Sequence, residues 1–205
     1  GPGQMWETCA DRIREMGNEV HLEHFVDQLT SSDGRISEVR VRSPQGEMRV
    51  PCDHVISTMP LRTLSKSISP SPAVEVQQAA DGLRYRDFLV VALILEGEDL
   101  FPDNWIYVHT EGVNVGRVQN FNNWSKAMVP EPGLTCLGLE YFCFEGDGLW
   151  SSSDEELIAL ATRELGELHL ADGAPVRDGT VVRMPKAYPI YDAEYHACVN
   201  AVRTQ

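Results

Sequence analysis

The chain of 205 residues lacks the G-x-G-x-x-G turn and the lysine-bearing phosphate loop, the two commonest ways a fold grips a nucleotide. No apolar run approaches the length of a membrane span, and no stretch resembles a signal peptide. Positive charge is scarce: 17 lysines and arginines face 31 acidic residues, a formal charge of -14. A general basic field for nucleic acid or an anionic membrane is therefore excluded, although a few converging arginines can still build a local anion site. Five cysteines stand at 9, 52, 136, 143 and 198 with no C-x-x-C pair and no histidine at zinc-finger spacing. They predict no metal site and read as buried, reduced thiols of a cytoplasmic protein. No serine, histidine and acid stand out as a triad, and there is no internal repeat or low-complexity tract.

What is present is a mixed α and β pattern, with a 42% hydrophobic content that suffices for a core. Met5, Cys9, Ile13 and Met16 share a helical face that Gly17 closes. Alternation over 19–22, then Phe25 to Leu29, Val39 with Val41, and Met48 to Val50 predict strands. Turns at Ser32-Asp33-Gly34 and Pro44-Gln45-Gly46 join them into a meander. This leads into Asp53-His54-Val55-Ile56-Ser57-Thr58-Met59-Pro60-Leu61, a predicted buried strand over 53–58 that proline stops. A helix is expected over 71–81, with Ser71 as cap. Phe88 to Leu95 reads as a strand buried on both faces, and 105–109, 115–120, 134–144 and 180–184 as further strands. Ser153-Asp154-Glu155-Glu156 is a capping box opening a helix that carries Leu157, Ala161 and Leu165. The predicted fold class is α+β, with a first block over 1–82, a mixed sheet over 83–190 and the start of a helix over 191–205.

Four segments carry chemistry. Phe25-Val26 can offer main-chain groups to a flat heterocycle, or be an ordinary strand. Thr58-Met59-Pro60 can face a ligand at a strand end, or simply stop the strand. The third is Trp105-Ile106-Tyr107 with Arg117-Val118-Gln119-Asn120-Phe121-Asn122-Asn123-Trp124, dense in rings, amides and a guanidinium. Alternation sends Arg117, Gln119 and Phe121 to one side and Val118 and Asn120 to the other. A polar pocket and a hydrogen-bonded loop network explain this segment equally well. The fourth, Met184-Pro185-Lys186-Ala187-Tyr188-Pro189-Ile190-Tyr191, sets a lysine and two tyrosines on a proline-stiffened segment, as a cavity wall or an exposed linker.

Taken in order, the helix ending at Gly17, Val20 and Val26 beyond it, the hairpin into Val55-Ile56-Ser57-Thr58-Met59-Pro60-Leu61, and Lys186-Ala187-Tyr188-Pro189 resemble one family. It is the FAD-dependent amine oxidase and protoporphyrinogen oxidase superfamily, which includes phytoene desaturases and UDP-galactopyranose mutases. The resemblance implies that the main chain of Val26 meets the FAD adenine and that Ser57, Thr58, Met59 and Pro60 lie along the cofactor. It further implies a partial FAD-binding α/β region over 1–82 and a substrate domain over 83–190. Tyr107, Arg117, Asn120, Lys186, Tyr188 and Tyr191 are the substrate-facing candidates, chosen on chemical grounds. The glycine-rich pyrophosphate anchor of the family is missing, so the sequence reads as a piece of a longer oxidoreductase that is inactive alone and does not retain FAD. A mutase-like flavoenzyme and a non-catalytic module for a small molecule or protein are the alternatives. Apolar faces left uncovered would admit homodimerisation.

Overall fold

The structure is a computed structural model describing residues 2–129, 131–171 and 173–204. It divides into two compact units, one of Gly1–Pro2 and Arg86–Tyr188, the other of Gly3–Tyr85 and Pro189–Gln205.

In the unit Gly3–Tyr85 with Pro189–Gln205, helix α1 (Pro2–Glu15) ends where Gly17 takes φ +83°. There the Gly17 and Asn18 N–H groups reach back to the carbonyls of Arg14 and Ile13. Strands β1 (Phe25–Ser32), β2 (Arg35–Ser43), β3 (Gly46–Pro51) and β4 (Ile68–Ser69) form a sheet of order β3-β2-β1-β4. Leu29 and Val41 are buried on one side of it, and Asp27 pairs with Arg40 and Arg42 on the other. Helices α2 (Leu61–Ser67), α3 (Val74–Gly82) and α7 (Tyr195–Arg203) complete the unit. A Cβ on Gly82 would come within 2.9 Å of the Cys198 sulfur, so the end of α3 lies hard against α7.

Three sequence expectations change here. No strand forms over 19–22; regular pairing starts at Phe25. The segment 53–58 forms no strand and pairs with nothing among the described residues, and Ile56 is 96% exposed. Apolar β-branched residues favour a strand, but a strand exists only once its N–H and C=O groups find partners. Helix α3 begins at Val74 on the cap position Ala73, after Ser71 and Pro72.

The unit Arg86–Tyr188 is built on a five-stranded sheet of order β6-β7-β8-β5-β9. Its strands are β5 (Tyr85–Glu96), β6 (Trp105–Tyr107), β7 (Arg117–Asn120), β8 (Leu134–Cys143) and β9 (Val176–Pro189). Short helices α4 (Phe121–Trp124) and α5 (Gly148–Ser151) join them, and α6 (Asp154–Glu167) covers one face. The predicted capping box is formed: Ser153 accepts from the Glu156 N–H, and Glu156 accepts from the Ser153 N–H. Against α6 the sheet turns Leu89, Val91, Leu93, Leu95, Val118, Leu137, Leu139 and Tyr141, all fully buried, onto Leu157, Ala161 and Leu165. The expectation that 88–95 is buried on both faces holds for one face only, because Phe88, Val90, Ala92 and Ile94 stay half-buried. Strand β9 runs past Pro185 to Pro189, where the sequence suggested a stop. It lies at the sheet edge, where a missing N–H costs no ladder bond.

Candidate functional site

The second face of this five-stranded sheet gathers the chemistry, and the strand register explains how. Antiparallel pairing sets Tyr107 opposite Arg117, Arg117 opposite Glu140 and Glu140 opposite Val90. The next row is Trp105, Gln119, Gly138 and Ala92. Residues directly opposite in such a ladder point to the same side. Phe88 and Phe142 form a further opposed pair, and the Tyr188 ring stands 6.2 Å from the first and 6.4 Å from the second. Two glycines make room. A Cβ on Gly116 would approach the Phe142 ring to 2.8 Å, and one on Gly138 the Phe121 ring to 2.9 Å.

Arg117 sits at the centre, only 8% exposed. Its guanidinium carbon lies 4.9 to 6.0 Å from the ring centroids of Phe88, Trp105, Tyr107, Phe142 and Tyr188. It also donates to the Tyr188 hydroxyl at 3.3 Å. Glu140, 2% exposed, forms an ion pair with the Arg117 Nε and accepts a hydrogen bond from the Gln119 amide. The Arg117 Nε and Glu140 Oε2 face each other as charges without hydrogen-bond alignment. Burial works against the guanidinium charge, but the Tyr188 hydroxyl, the Glu140 carboxylate and Tyr107 outweigh it and hold its pKa above the ordinary arginine value. Four of the rings stay open to solvent: Trp105, Tyr107, Phe142 and Tyr188. The result is an aromatic surface with a neutralised ion pair beneath it.

The α6 side of the sheet holds a second buried carboxylate. Glu164 accepts from the Asn114 N–H and amide, the Val115 N–H and the Tyr141 hydroxyl, at 2.7 to 3.1 Å. Four donors consume its acceptor capacity and pin the segment leading into β7. Burial, then the neighbouring Glu164, pushes the Tyr141 hydroxyl far above the ordinary tyrosine range. Burial also raises the thiols of Cys136 and Cys143, the latter to about 11 with Asp147 and Asp87 adding to it. All five cysteines are free; only Cys143 is fully buried and Cys9 is exposed, so burial of every thiol does not hold.

Of the residues singled out from sequence, Tyr107, Arg117 and Tyr188 meet on this face. Asn120 is a correction: alternation puts it on the opposite face, where its amide donates to the Phe101 carbonyl at 3.3 Å. Asn122 and Asn123 likewise bond to the backbone of Leu134, Cys136, Phe101 and Asp103, so the amide-rich segment is a stapled loop. Lys186 has φ +56° and its N–H donates to the buried Asp87 carboxylate at 2.6 Å; its side chain is exposed. Tyr191 belongs to the other unit, where it is exposed and packs edge-on to Tyr195 at 4.7 Å. Glu140, Phe88 and Phe142 were not among the sequence candidates. A signal for Glu140 exists: one charge inside Leu137-Gly138-Leu139-Glu140-Tyr141-Phe142-Cys143 must find a partner if that run is buried.

The family model for flavin-containing amine oxidoreductases matches residues 1–198. The chain belongs to that family. No curated protein matches the sequence. Among solved structures, a reduced UDP-galactopyranose mutase is similar at TM-score 0.70 and 17% identity, over 91% of this chain and 40% of that one. A candidate protoporphyrinogen oxidase from Exiguobacterium sp. 255-15 aligns at TM-score 0.69 and 16% identity, over 97% of this chain and 42% of that one. A redesigned putrescine oxidase aligns at 0.56 and 18%, over 82% of this chain and 36% of that one. The chain thus spans about two fifths of the mutase and of the Exiguobacterium protein.

Membership in this family implies a flavin. The residues present suit part of it. Strand β4 pairs only with Leu29 and Thr30, so Phe25–Gln28 of β1 meet no strand on that side among the described residues. The main chain around Val26 therefore has an open edge that suits a flat heterocycle with donors and acceptors on its rim. Ser57 to Pro60 form the end of the unpaired stretch, with the Ser57 hydroxyl accepting from the Met59 N–H at 3.2 Å. For a pyrophosphate the sequence offers no glycine-rich cradle. A groove of about 590 Å³ in the same unit is walled by Ile36, Leu61, Leu64, Ile68 and Val202, with Arg203 as its one charged lining residue. Among the described residues no cluster of histidine, cysteine and acidic groups suits a metal, and no helix is long and apolar enough to cross a membrane.

Proposed function

We propose that this chain carries the substrate-receiving sheet of an FAD-dependent oxidoreductase, with the Arg117 face as the surface that holds the substrate. The observation that carries the reading is the buried Arg117–Glu140 pair roofed by rings that remain solvent-exposed. A monomer that leaves such rings open does so against the hydrophobic effect, and a ligand ring is the natural cover. Trp105 and Tyr107, with centroids 5.4 Å apart and planes inclined by 30°, offer a stacking platform. The Tyr188 hydroxyl orients a polar substituent, and the rings keep water from the reacting carbon. Val26 and Ser57 to Pro60 would hold FAD, which when bound supplies the hydride-accepting chemistry. The missing pyrophosphate cradle supports the further reading that the 205 residues alone bind FAD weakly and are inactive. Five unpaired cysteines suit a reducing, cytoplasmic setting.

The mutase reading asks for converging cations at a diphosphate. Arg117 spends its charge on Glu140, which favours oxidation over the mutase reaction. The test is twofold. Expressed at its full natural length with ample riboflavin, the protein should be yellow, and Arg117→Met should lower turnover without removing the colour. Titration of the 205-residue chain with FAD should show no micromolar binding. A colourless full-length protein that takes up no FAD would establish the non-catalytic alternative instead.

A further inference from the structure

Among the described residues Glu140 is the one buried carboxylate on the face that carries the aromatic rings, and it lies directly across the ladder from Arg117. Its two oxygens are both engaged, one by the Gln119 amide and one facing the Arg117 Nε. Opposite charges this close and this dry cancel as seen by a ligand above them. Arg86, a further cation, lies over the Phe142 and Phe144 rings at 6.0 Å and 5.5 Å, is exposed, and is screened by solvent. An arginine caged by rings would ordinarily mark a site for a carboxylate or phosphate. Here that charge is already taken.

We propose that Glu140 sets the charge selectivity of this site, restricting it to substrates whose ring portion is planar and uncharged where it meets Arg117. The proposal rests on the Arg117 face being the substrate surface and adds which class of ring it accepts. Without the Glu140 charge, the same cage becomes an anion site: Arg117 keeps its rings and its bond to Tyr188, and its charge is left free for a ligand.

The test uses two probes with one ring system, 2-naphthol and naphthalene-2-sulfonate, titrated against the chain while the Trp105 indole resonance is followed. Moderate salt screens the general acidity of the protein. Wild type should bind the neutral probe more tightly than the anion by about tenfold or more. Glu140→Gln, which keeps the shape, should shift that ratio towards the anion by about tenfold. Glu155→Gln, an exposed change of equal charge on α6, should leave the ratio in place. Equal or tighter binding of the sulfonate by wild type overturns the proposal even if Glu140→Gln fails to fold. So does a Glu140→Gln ratio unchanged from wild type, and both results leave the site reading intact. If neither probe moves the Trp105 signal in wild type, the site reading itself falls, and the proposal with it.

Discussion

Two buried carboxylates lie against opposite faces of the five-stranded sheet, Glu164 on α6 and Glu140 on β8, and their partners differ in kind. Glu164, on the face covered by α6, is surrounded by neutral donors, two of them backbone N–H groups. Its role is complete within the fold: it holds the segment before β7. Glu140, on the other face, answers a guanidinium, and the rings over that pair are left open. Four hydrogen bonds describe an anchor, whereas a charge pair beneath exposed aromatic rings suits the proposed ligand surface. On the proposed reading, the placement of these buried polar groups separates the structural side of the sheet from the side that receives substrate.

The contrast can be broken most severely at the anchor. Glu164→Leu leaves two backbone N–H groups and the Tyr141 hydroxyl without an acceptor, at roughly 1–3 kcal/mol each. A loss of about 4 kcal/mol or more in urea unfolding is expected, and a loss below about 1 kcal/mol would contradict the anchor role. Next comes Arg117→Met, which strands the Glu140 charge and should cost about 3–5 kcal/mol. Adding Glu140→Leu should recover most of that, because a ring-lined apolar pair needs no charge at all. A double variant no more stable than Arg117→Met would mean the two charges are not coupled.

Two smaller effects sharpen the comparison. Tyr141 has a raised pKa in the folded state, so its contribution is whole below the ordinary tyrosine value of 10.0 and is lost as pH rises beyond it. Cys143, raised to about 11 from 9.0, acts in the same direction from a lower starting pH. Wild type should therefore lose stability with rising pH above about 9, and Tyr141→Phe should flatten the part of the slope above about 10. An unchanged slope would contradict the assignment. On the open face, Gly138→Ala should push Phe121 aside at a cost of about 1–3 kcal/mol. Phe121→Leu in the same chain should relieve it, measured by the same unfolding midpoint.

Much of this was legible in the chain. The α6 capping box, the meander over β1 to β3 and the division of Arg117 and Gln119 from Val118 and Asn120 all follow from local chemistry and a period of two. Other features required partners that no local pattern reveals. The segment 53–58 has every residue a strand needs but meets no neighbour among the described residues, so it stays unpaired. Pro185 reads as a stop, and only the position of β9 at the sheet edge shows why it is tolerated. The asparagines after Arg117 invite a pocket reading, yet their donors are spent on the backbone of Phe101, Asp103 and Leu134. Glu140 was the readable omission: its sequence neighbours declare a buried strand, and a buried charge demands an answer.

The central claim, that the Arg117 face receives a ligand and the Glu164 face does not, is tested most directly by chemical-shift mapping of the chain with 2-naphthol. The account predicts saturable shifts at the Trp105 indole and at the amides of Tyr107, Gln119 and Phe142, with Leu157 and Glu164 on α6 unmoved. Shifts confined to α6, or none at the Trp105 indole at saturating ligand, would contradict it.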